Sequence, residues 1–245
     1  MDWLKYLIEN KPELGLTLEP KTVDDFLKIA RAFNTQDPDN NGRDDTHGFS
    51  MQGNFWAAMG GLIGFFNMFD AYPNIWIENG NKLEHGSIQP EIKNALSVLR
   101  QLYSEGVIVQ DFAVKGEQAI ADEITMNKSG IIFGEQWLCA YPLQSLYNQN
   151  NNTEWKAFPL FHNGDNETKV QLSMGTYGWW VVSNSCRHPE ALIKMMNVYV
   201  QSIWGEDGDF NYYYMPKDTG APVWKLSPFN PEPPTKNLDA YLAIK

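Results

Sequence analysis

The sequence predicts an α/β fold with a mixed or parallel sheet. Two observations carry this reading: helical periodicity recurs in several segments along the chain, and short apolar or alternating runs of strand length fall between them. At 245 residues the chain can bury a substantial core, near the top of the range for one domain and the bottom of the range for two.

The elements follow in order. After Pro20, "KTVDDFLKIARAF" places Thr22 and Asp25 at capping-box spacing and sets Val23, Phe26, Leu27, Ala30 and Phe33 on one face, which predicts a helix ending near Asn34. "QPEIKNALSVLRQLYSEG" predicts a second helix, with Pro90 in the first turn, Ile92, Ala95, Leu96, Leu99 and Leu102 as the stripe, and Gly106 as the stop. "GEQAIADEITMNKSG" predicts a shorter third. "GIIFGEQW" (Gly130 to Trp137) follows as a brief buried strand, "EWKAFPLF" (Glu154 to Phe161) alternates weakly as another, and "YGWWVVS" (Tyr177 to Ser183) is the strongest strand signal. A helix restarts at Pro189, and beyond Gly205 the proline-rich tail predicts irregular chain wrapping over a surface.

Charge and composition exclude several function classes. With 19 basic and 30 acidic residues the net charge is −11, so phosphate backbones are repelled on average and a nucleic-acid role is not expected. The most apolar run, Phe55 to Phe69, is broken by glycine and amide residues and is shorter than the roughly 20 residues that span a bilayer. The segment "MDWLKYLIENKPELG" does not read as a secretory signal, which suits a cytoplasmic chain or a mature or truncated form. Cys139 and Cys186 are too few for a disulfide framework or a zinc site and are expected to be buried thiols. The four histidines stand apart in polar or loop settings and read as surface residues. No nucleophile elbow, zinc-protease helix, Walker loop or dinucleotide fingerprint is present, so the chain is not expected to be an enzyme.

"DPDNNGRDD" (Asp37 to Asp45) matches a calcium loop of the EF-hand type. Counting from Asp37, ligand positions 1, 3, 5, 7 and 9 are Asp37, Asp39, Asn41, the Arg43 carbonyl and Asp45, with Gly42 at position 6 for the sharp turn. Three carboxylates converging on one point call for a hard cation, and Ca2+ in a structural role suits the spacing. Position 12 is Gly48 where a full EF-hand carries glutamate, so the shell needs water or another segment. The local alternative is a solvated Asx-rich turn. Aromatics reach 13% and cluster with glycine in "GNFWAAMGGLIGFF" and "GTYGWW", which suggests a surface made for stacking.

Several stretches together carry a family resemblance. "DWLKYLIENKPELGLTLEPKTVDDFLKIARAFNTQDPDNNGRDDTHGF", "WIENGNKLEHGSIQPEIKNALSVLRQLYSEGVIVQDFA", "GIIFGEQW" and "GWWVVSNSCRHPEALIKMMN" resemble the extracellular solute-binding proteins of carbohydrate ABC importers, in particular their lipoprotein-type branch. The resemblance implies a periplasmic-binding-protein type II-like lobe, a mixed sheet flanked by helices. It implies that residues 1–176 are the second lobe and that 177–245 supply the strand crossing back, a helix and an irregular tail that dock on a first lobe. It further implies a non-enzymatic protein that closes over an oligosaccharide or sugar derivative, works with permease subunits, and is held at the extracellular face of the cell membrane by a lipid anchor outside this chain. The D-x-D-x-N-G-x-x-D loop recurs in that branch, some relatives adding an acid where Thr46 stands here.

By the same resemblance Trp137 and Trp179 lie at strand ends facing the cleft, with Gln136, Glu135 and Tyr177 as hydrogen-bonding groups and Trp56 as a further aromatic. Flat aromatic faces suit the C–H surface of pyranose rings. Trp179 and Trp180 alternate along one strand, so one of the two is expected to touch ligand. With one lobe alone, saccharide binding is expected to be weak. The rival readings are a glycan-active hydrolase and a calcium-braced protein-binding module.

Overall fold

The computed structural model describes residues 1–164, 167–172, 178–228, 230–233, 235, 236, 238, 242 and 243. It divides into two units, Met1–Gly175 and Thr176–Lys245.

The first unit is organised by helix α2 (Val23–Thr35), which the capping box starts where the sequence places it. The Thr22 hydroxyl accepts from the Asp25 N–H at 3.1 Å, and the Asp25 carboxylate accepts from the Thr22 N–H at 3.0 Å. One face of α2 packs on α1 (Asp2–Asn10): Trp3, Leu4 and Leu7 bury against Ile29, Ala32 and Phe33, and the Trp3 and Phe33 rings meet edge to face at 5.3 Å. The other face enters the main core. There Phe26, fully buried, lies within 6.2 Å of the rings of Phe49, Phe65, Phe133 and Phe161.

Around this core run α3 (Ile63–Asn67) and α4 (Pro90–Ser104), with Ala95, Leu99 and Leu102 of α4 turned inward. Gly106, at φ +77°, follows Glu105 at the end of α4, a conformation that favours glycine. A third cluster joins Ile120, Ala121 and Ile124 of α5 (Glu117–Thr125) to Met59, Leu138 and Leu146, the last on α6 (Leu143–Gln149).

Among the described residues the one regular sheet is a hairpin of β1 (Trp76–Asn79) and β2 (Lys82–His85), joined by Gly80 and Asn81, with Gly80 at φ +64°. The sequence stretch "ENGN" carries that turn signal. Elsewhere strand pairing is reduced to isolated bridges: parallel for Thr22 with His162, His47 with Ser129 and Ser50 with Ile132, antiparallel for Met59 with Gly134. Both senses are present, as a mixed sheet requires, but residues 130–135 and 154–161 are extended segments and not continuous strands, and Gln136 and Trp137, the end of the first expected strand, lie in a 3-10 turn.

In the second unit α7 (Glu190–Trp204) begins directly after Pro189, and α8 (Phe210–Tyr213) follows. Residues 178–183, the part of the expected strand among the described residues, are not assigned to a strand; Tyr177, its start, lies outside the described residues. In the tail, the Tyr214 ring stacks on Phe210 at 4.5 Å and on Trp224 at 5.8 Å.

Candidate functional site

The acidic loop follows directly on α2. Asp37 (φ +47°), Asn40 (φ +54°) and Gly42 (φ +74°) take left-handed backbone, which turns the chain back on itself. The two Asp37 carboxylate oxygens accept from the N–H groups of Asn41 and Gly42, both at 3.0 Å. The Asn41 amide donates to Asp39 at 2.9 Å and to Asp45 at 3.1 Å, while its own oxygen accepts from the Arg43 N–H at 2.8 Å. Tyr6 on α1 donates to Asn40 at 2.9 Å, and Thr46 leaves the loop by donating to the Phe33 carbonyl at 2.8 Å. Both ends are thus tied to helices.

The loop's charge is unbalanced. Oδ1 of Asp39 is buried without a hydrogen-bond partner. Burial, followed by the neighbouring Asp37 and Asp45, pushes the Asp39 carboxyl above its ordinary pKa. Among the described residues no three His, Cys, Asp or Glu side chains are drawn together closely enough to hold an ion. Asn41 bridges Asp39 and Asp45 with N–H groups in the region a cation would neutralise. An orphaned buried oxygen, like charges on either side and an open left-handed glycine at position 6 fit a hard cation.

The cleft candidates divide between the units. In the first, Glu135, Gln136 and Trp137 are held by the one-turn 3-10 helix Gln136–Cys139. Trp137 Nε1 donates to the Glu135 carboxylate at 3.0 Å, and the ring packs on the Ile120 and Leu138 cluster. Glu135 and Gln136 are exposed and line an apolar groove of about 630 Å3. Trp56 belongs to the glycine-rich segment, which meets the same stretch: the Glu135 N–H donates to the Ala58 carbonyl at 3.1 Å, and Met59 bridges Gly134. Its ring is 44% exposed, 6.4 Å from that of Phe66. In the second unit Trp179 is 78% exposed; Tyr177 lies outside the described residues.

Other features depart from the sequence expectations. Cys139 and Cys186 are exposed, not buried; in the first case Leu138 takes the inward position of the turn and the thiol donates to the Gln136 carbonyl. His47 is half-buried, and burial lowers its pKa. It lies near a polar cluster that no sequence motif announces. There Lys115 pairs with Glu123 and with Asp111 at 2.9 Å, and the Ser50 hydroxyl donates to Glu123 at 2.5 Å.

No protein-family model matches the chain. It is 35% identical over 132 residues to lipoprotein LipO of Bacillus subtilis, a match covering 54% of this chain and 24% of LipO. It is 24% identical over 188 residues to the polygalacturonan/rhamnogalacturonan-binding protein YtcQ of the same organism, covering 77% of this chain and 37% of YtcQ. In fold it resembles FusA, an ABC-transporter substrate binding protein of Streptococcus pneumoniae solved as an EF-hand mutant in complex with fructo-nystose. That superposition has a TM-score of 0.59 at 24% identity, over 85% of this chain and 41% of FusA. The chain therefore spans between 24% and 41% of the length of these proteins. No helix among the described residues is long and apolar enough to cross a membrane. The fold is an α/β lobe of the solute-binding type. By sequence the chain is also similar to the fructooligosaccharide ABC transporter substrate-binding protein FusA of Streptococcus pneumoniae, 32% identical over 108 residues that cover 44% of this chain and 19% of FusA, so two of these relatives are named as carbohydrate-binding proteins.

Proposed function

We propose that the chain is part of the ligand-binding component of an ABC importer, taking an oligosaccharide or sugar derivative by lobe closure and passing it to permease subunits. The observation that supports this best is its sequence relationship to YtcQ and FusA, whose names state polysaccharide and fructooligosaccharide recognition. In this reading residues 1–176 are the second lobe. Residues 177–245 supply the crossing strand, a helix and a tail that dock on the first lobe, and a lipid anchor holds the whole at the extracellular face of the cell membrane.

Exposed Trp56 and Trp179 offer stacking faces, Trp137 is a partly covered third, and Glu135, Gln136 and Tyr177 supply hydrogen bonds to hydroxyls. Glu135 orients Trp137 through its hydrogen bond to the indole, so the two act together. The side chains of Asp37, Asp39, Asn41 and Asp45 and the Arg43 carbonyl would hold calcium, whose charge offsets the repulsion among three carboxylates. Its role is to brace the turn after α2.

Thermal unfolding and calorimetric titration of the chain at millimolar saccharide test this. The panel contains fructooligosaccharides, neutral gluco- and galacto-oligosaccharides, and polygalacturonan fragments. One class should raise the unfolding midpoint and be recovered unshortened; no response to any class would overturn the assignment.

A further inference from the structure

The hairpin of β1 and β2 carries an exposed face that the candidate site does not use. Its register pairs Trp76 with His85 and Glu78 with Leu83, so these four side chains share one face, while Ile77, Asn79, Lys82 and Glu84 share the other. Ile77 and Glu84 are half-buried, which turns the second face toward the protein. The first faces solvent, with Trp76 67% and Leu83 68% exposed. It is also held still. The Trp76 ring meets the His85 imidazole edge to face at 5.4 Å. At the hairpin base the Gly86 N–H donates to the Ile75 carbonyl at 2.7 Å, and Gly86 is packed so closely that a Cβ there would fall 1.8 Å from the Tyr72 carbonyl oxygen. Ser87 Oγ accepts from the Asn74 N–H at 3.0 Å, and the Ser87 N–H donates to His85 Nδ1 at 3.4 Å. With Nδ1 accepting, the neutral imidazole carries its proton on Nε2 and is a donor there.

The four residues are arranged as two diagonals. Trp76 and Leu83 form an apolar one, and Glu78 and His85 set an acceptor and a donor on the other. Size and charge select what fits. Strands of four residues about 5 Å apart offer a face on the order of 100 Å2, well under the roughly 800 Å2 that each partner gives to a stable protein interface. The Glu78 carboxylate, in a chain of net charge −11, repels phosphates and uronates. A fixed aromatic face of this size, with one acceptor and one donor beside it, matches the C–H surface and hydroxyls of a neutral sugar ring. We infer that the hairpin is a saccharide site additional to the Trp56, Trp137 and Trp179 candidates. Trp76 stacks on a neutral pyranose, Leu83 extends the apolar contact, and Glu78 and His85 bond the hydroxyls. The site needs no lobe closure and does not rest on the cleft assignment. Being open and not concave, it should bind with a Kd of about 1 mM or weaker.

The test is NMR titration of the isotope-labelled chain, whose nine tryptophans each give an indole N–H signal. The signal missing from Trp76→Ala is that of Trp76, and unmoved remaining signals show that the variant is folded. The probes are cellotriose, maltotriose and galactotriose, with trigalacturonate and phosphatidylcholine vesicles as contrasts. At least one neutral trisaccharide should shift the Trp76 indole and the His85 ring signals together and saturably, while trigalacturonate should leave both in place. Glu78→Ala and His85→Ala should each weaken the Trp76 response about fivefold, as expected for loss of one hydrogen bond. Trp76→Ala should abolish the His85 response. A Trp76 signal unmoved by all three neutral probes across the millimolar range overturns the inference. So does an equal response to trigalacturonate, or undiminished binding in both Glu78→Ala and His85→Ala. A response to vesicles alone overturns it in favour of a lipid surface. Shifts confined to Trp56, Trp137 or Trp179 overturn the hairpin site while supporting the cleft, and a shift confined to Trp76 and His85 supports the hairpin while counting against the cleft.

Discussion

The side-chain amide of Asn41 donates to Asp39 Oδ2 at 2.9 Å, while the other oxygen of that carboxylate is buried with no partner. A loop with Asp37, Asp39 and Asp45 side by side is thus only partly neutralised by its own hydrogen bonds. Calcium should raise the unfolding midpoint, and at a hundredfold excess over Kd the gain is about 2.7 kcal/mol. Asp39→Ala should abolish this response. Asp39→Asn should also abolish it while leaving the calcium-free protein within about 0.5 kcal/mol of the parent, because it removes one like charge from the loop. Calorimetry with calcium, with magnesium and with chelator checks this. A parent midpoint indifferent to calcium would reduce the stretch to an Asx turn.

The reciprocal bonds between Thr22 and Asp25 start the helix on which both halves of the first unit's core are built. Thr22→Ala should cost about 1 kcal/mol in urea denaturation, with an unchanged slope, since the loss is one cap and not a change in buried area. Burial raises the Asp25 carboxyl, but the N–H groups of Lys21 and Thr22 and the Thr22 hydroxyl outweigh it, so the folded pKa falls below the ordinary value. A lowered carboxylate pKa contributes stability that is full above the unfolded pKa and is lost as pH falls through the folded one. Thr22→Ala should therefore flatten the acid limb of the stability profile; a purely vertical displacement would contradict the linkage.

Lys115 and Glu123 are nearly buried and paired, with Ser50 and Asp111 completing the cluster. Burial depresses the Lys115 pKa, yet the hydrogen bonds to Glu123 and Asp111 prevail and raise it overall. Such a lysine stabilises the fold fully below its unfolded pKa and loses that contribution as pH rises through the folded pKa, so on the alkaline side the cluster should hold until strong alkali, while Asp111, whose pKa Lys115 lowers, gives up its share as pH falls. At neutral pH, Lys115→Met leaves Glu123 charged and unpaired and should cost about 3 kcal/mol or more. Lys115→Met with Glu123→Leu should recover much of the loss. If the double variant is no better than the single one, the pair is not the source of the effect.

The helices were the legible part of the fold because their signals are local. Thr22 with Asp25, Pro90 with Gly106, and Pro189 mark ends that the structure reproduces to within a residue or two. The sheet was less legible because pairing depends on a distant partner. Residues 130–135 and 154–161 are extended as their composition predicts, while Gln136 and Trp137 turn into a 3-10 helix, and each extended segment is bonded along one edge or hardly at all. The hairpin at Gly80 was not among the predicted elements although its turn signal is local, whereas the exposure of Cys139 follows from Leu138 taking the core position, which no local pattern encodes. For the candidate site, the sequence supplied residue types and the structure joined Glu135 to Trp137 and brought the Trp56 segment against Gly134 and Glu135. The Lys115 cluster was invisible for the same reason as the sheet: its members are scattered from Ser50 to Glu123.

Exposure separates the roles of the tryptophans. Trp179 and Trp56 present enough surface to stack on a sugar, and Gln136 is exposed as well. Trp179→Ala, Trp56→Ala and Gln136→Ala should each leave urea stability within about 0.5 kcal/mol. Trp137→Ala should cost about 2 kcal/mol, because its ring also covers the Ile120 and Leu138 cluster. Once the panel has identified the saccharide class, a stacking tryptophan should lose about tenfold in affinity on truncation, near 1.4 kcal/mol. Glu135→Gln keeps an acceptor for the Trp137 indole, so it should preserve the fold and change affinity only if the carboxylate itself meets the ligand. Calorimetric titration of all five variants distinguishes the cases. Unaltered affinity throughout would move the saccharide site away from these residues, while loss confined to Trp137→Ala, with its stability cost, would mark that ring as a support and not a contact.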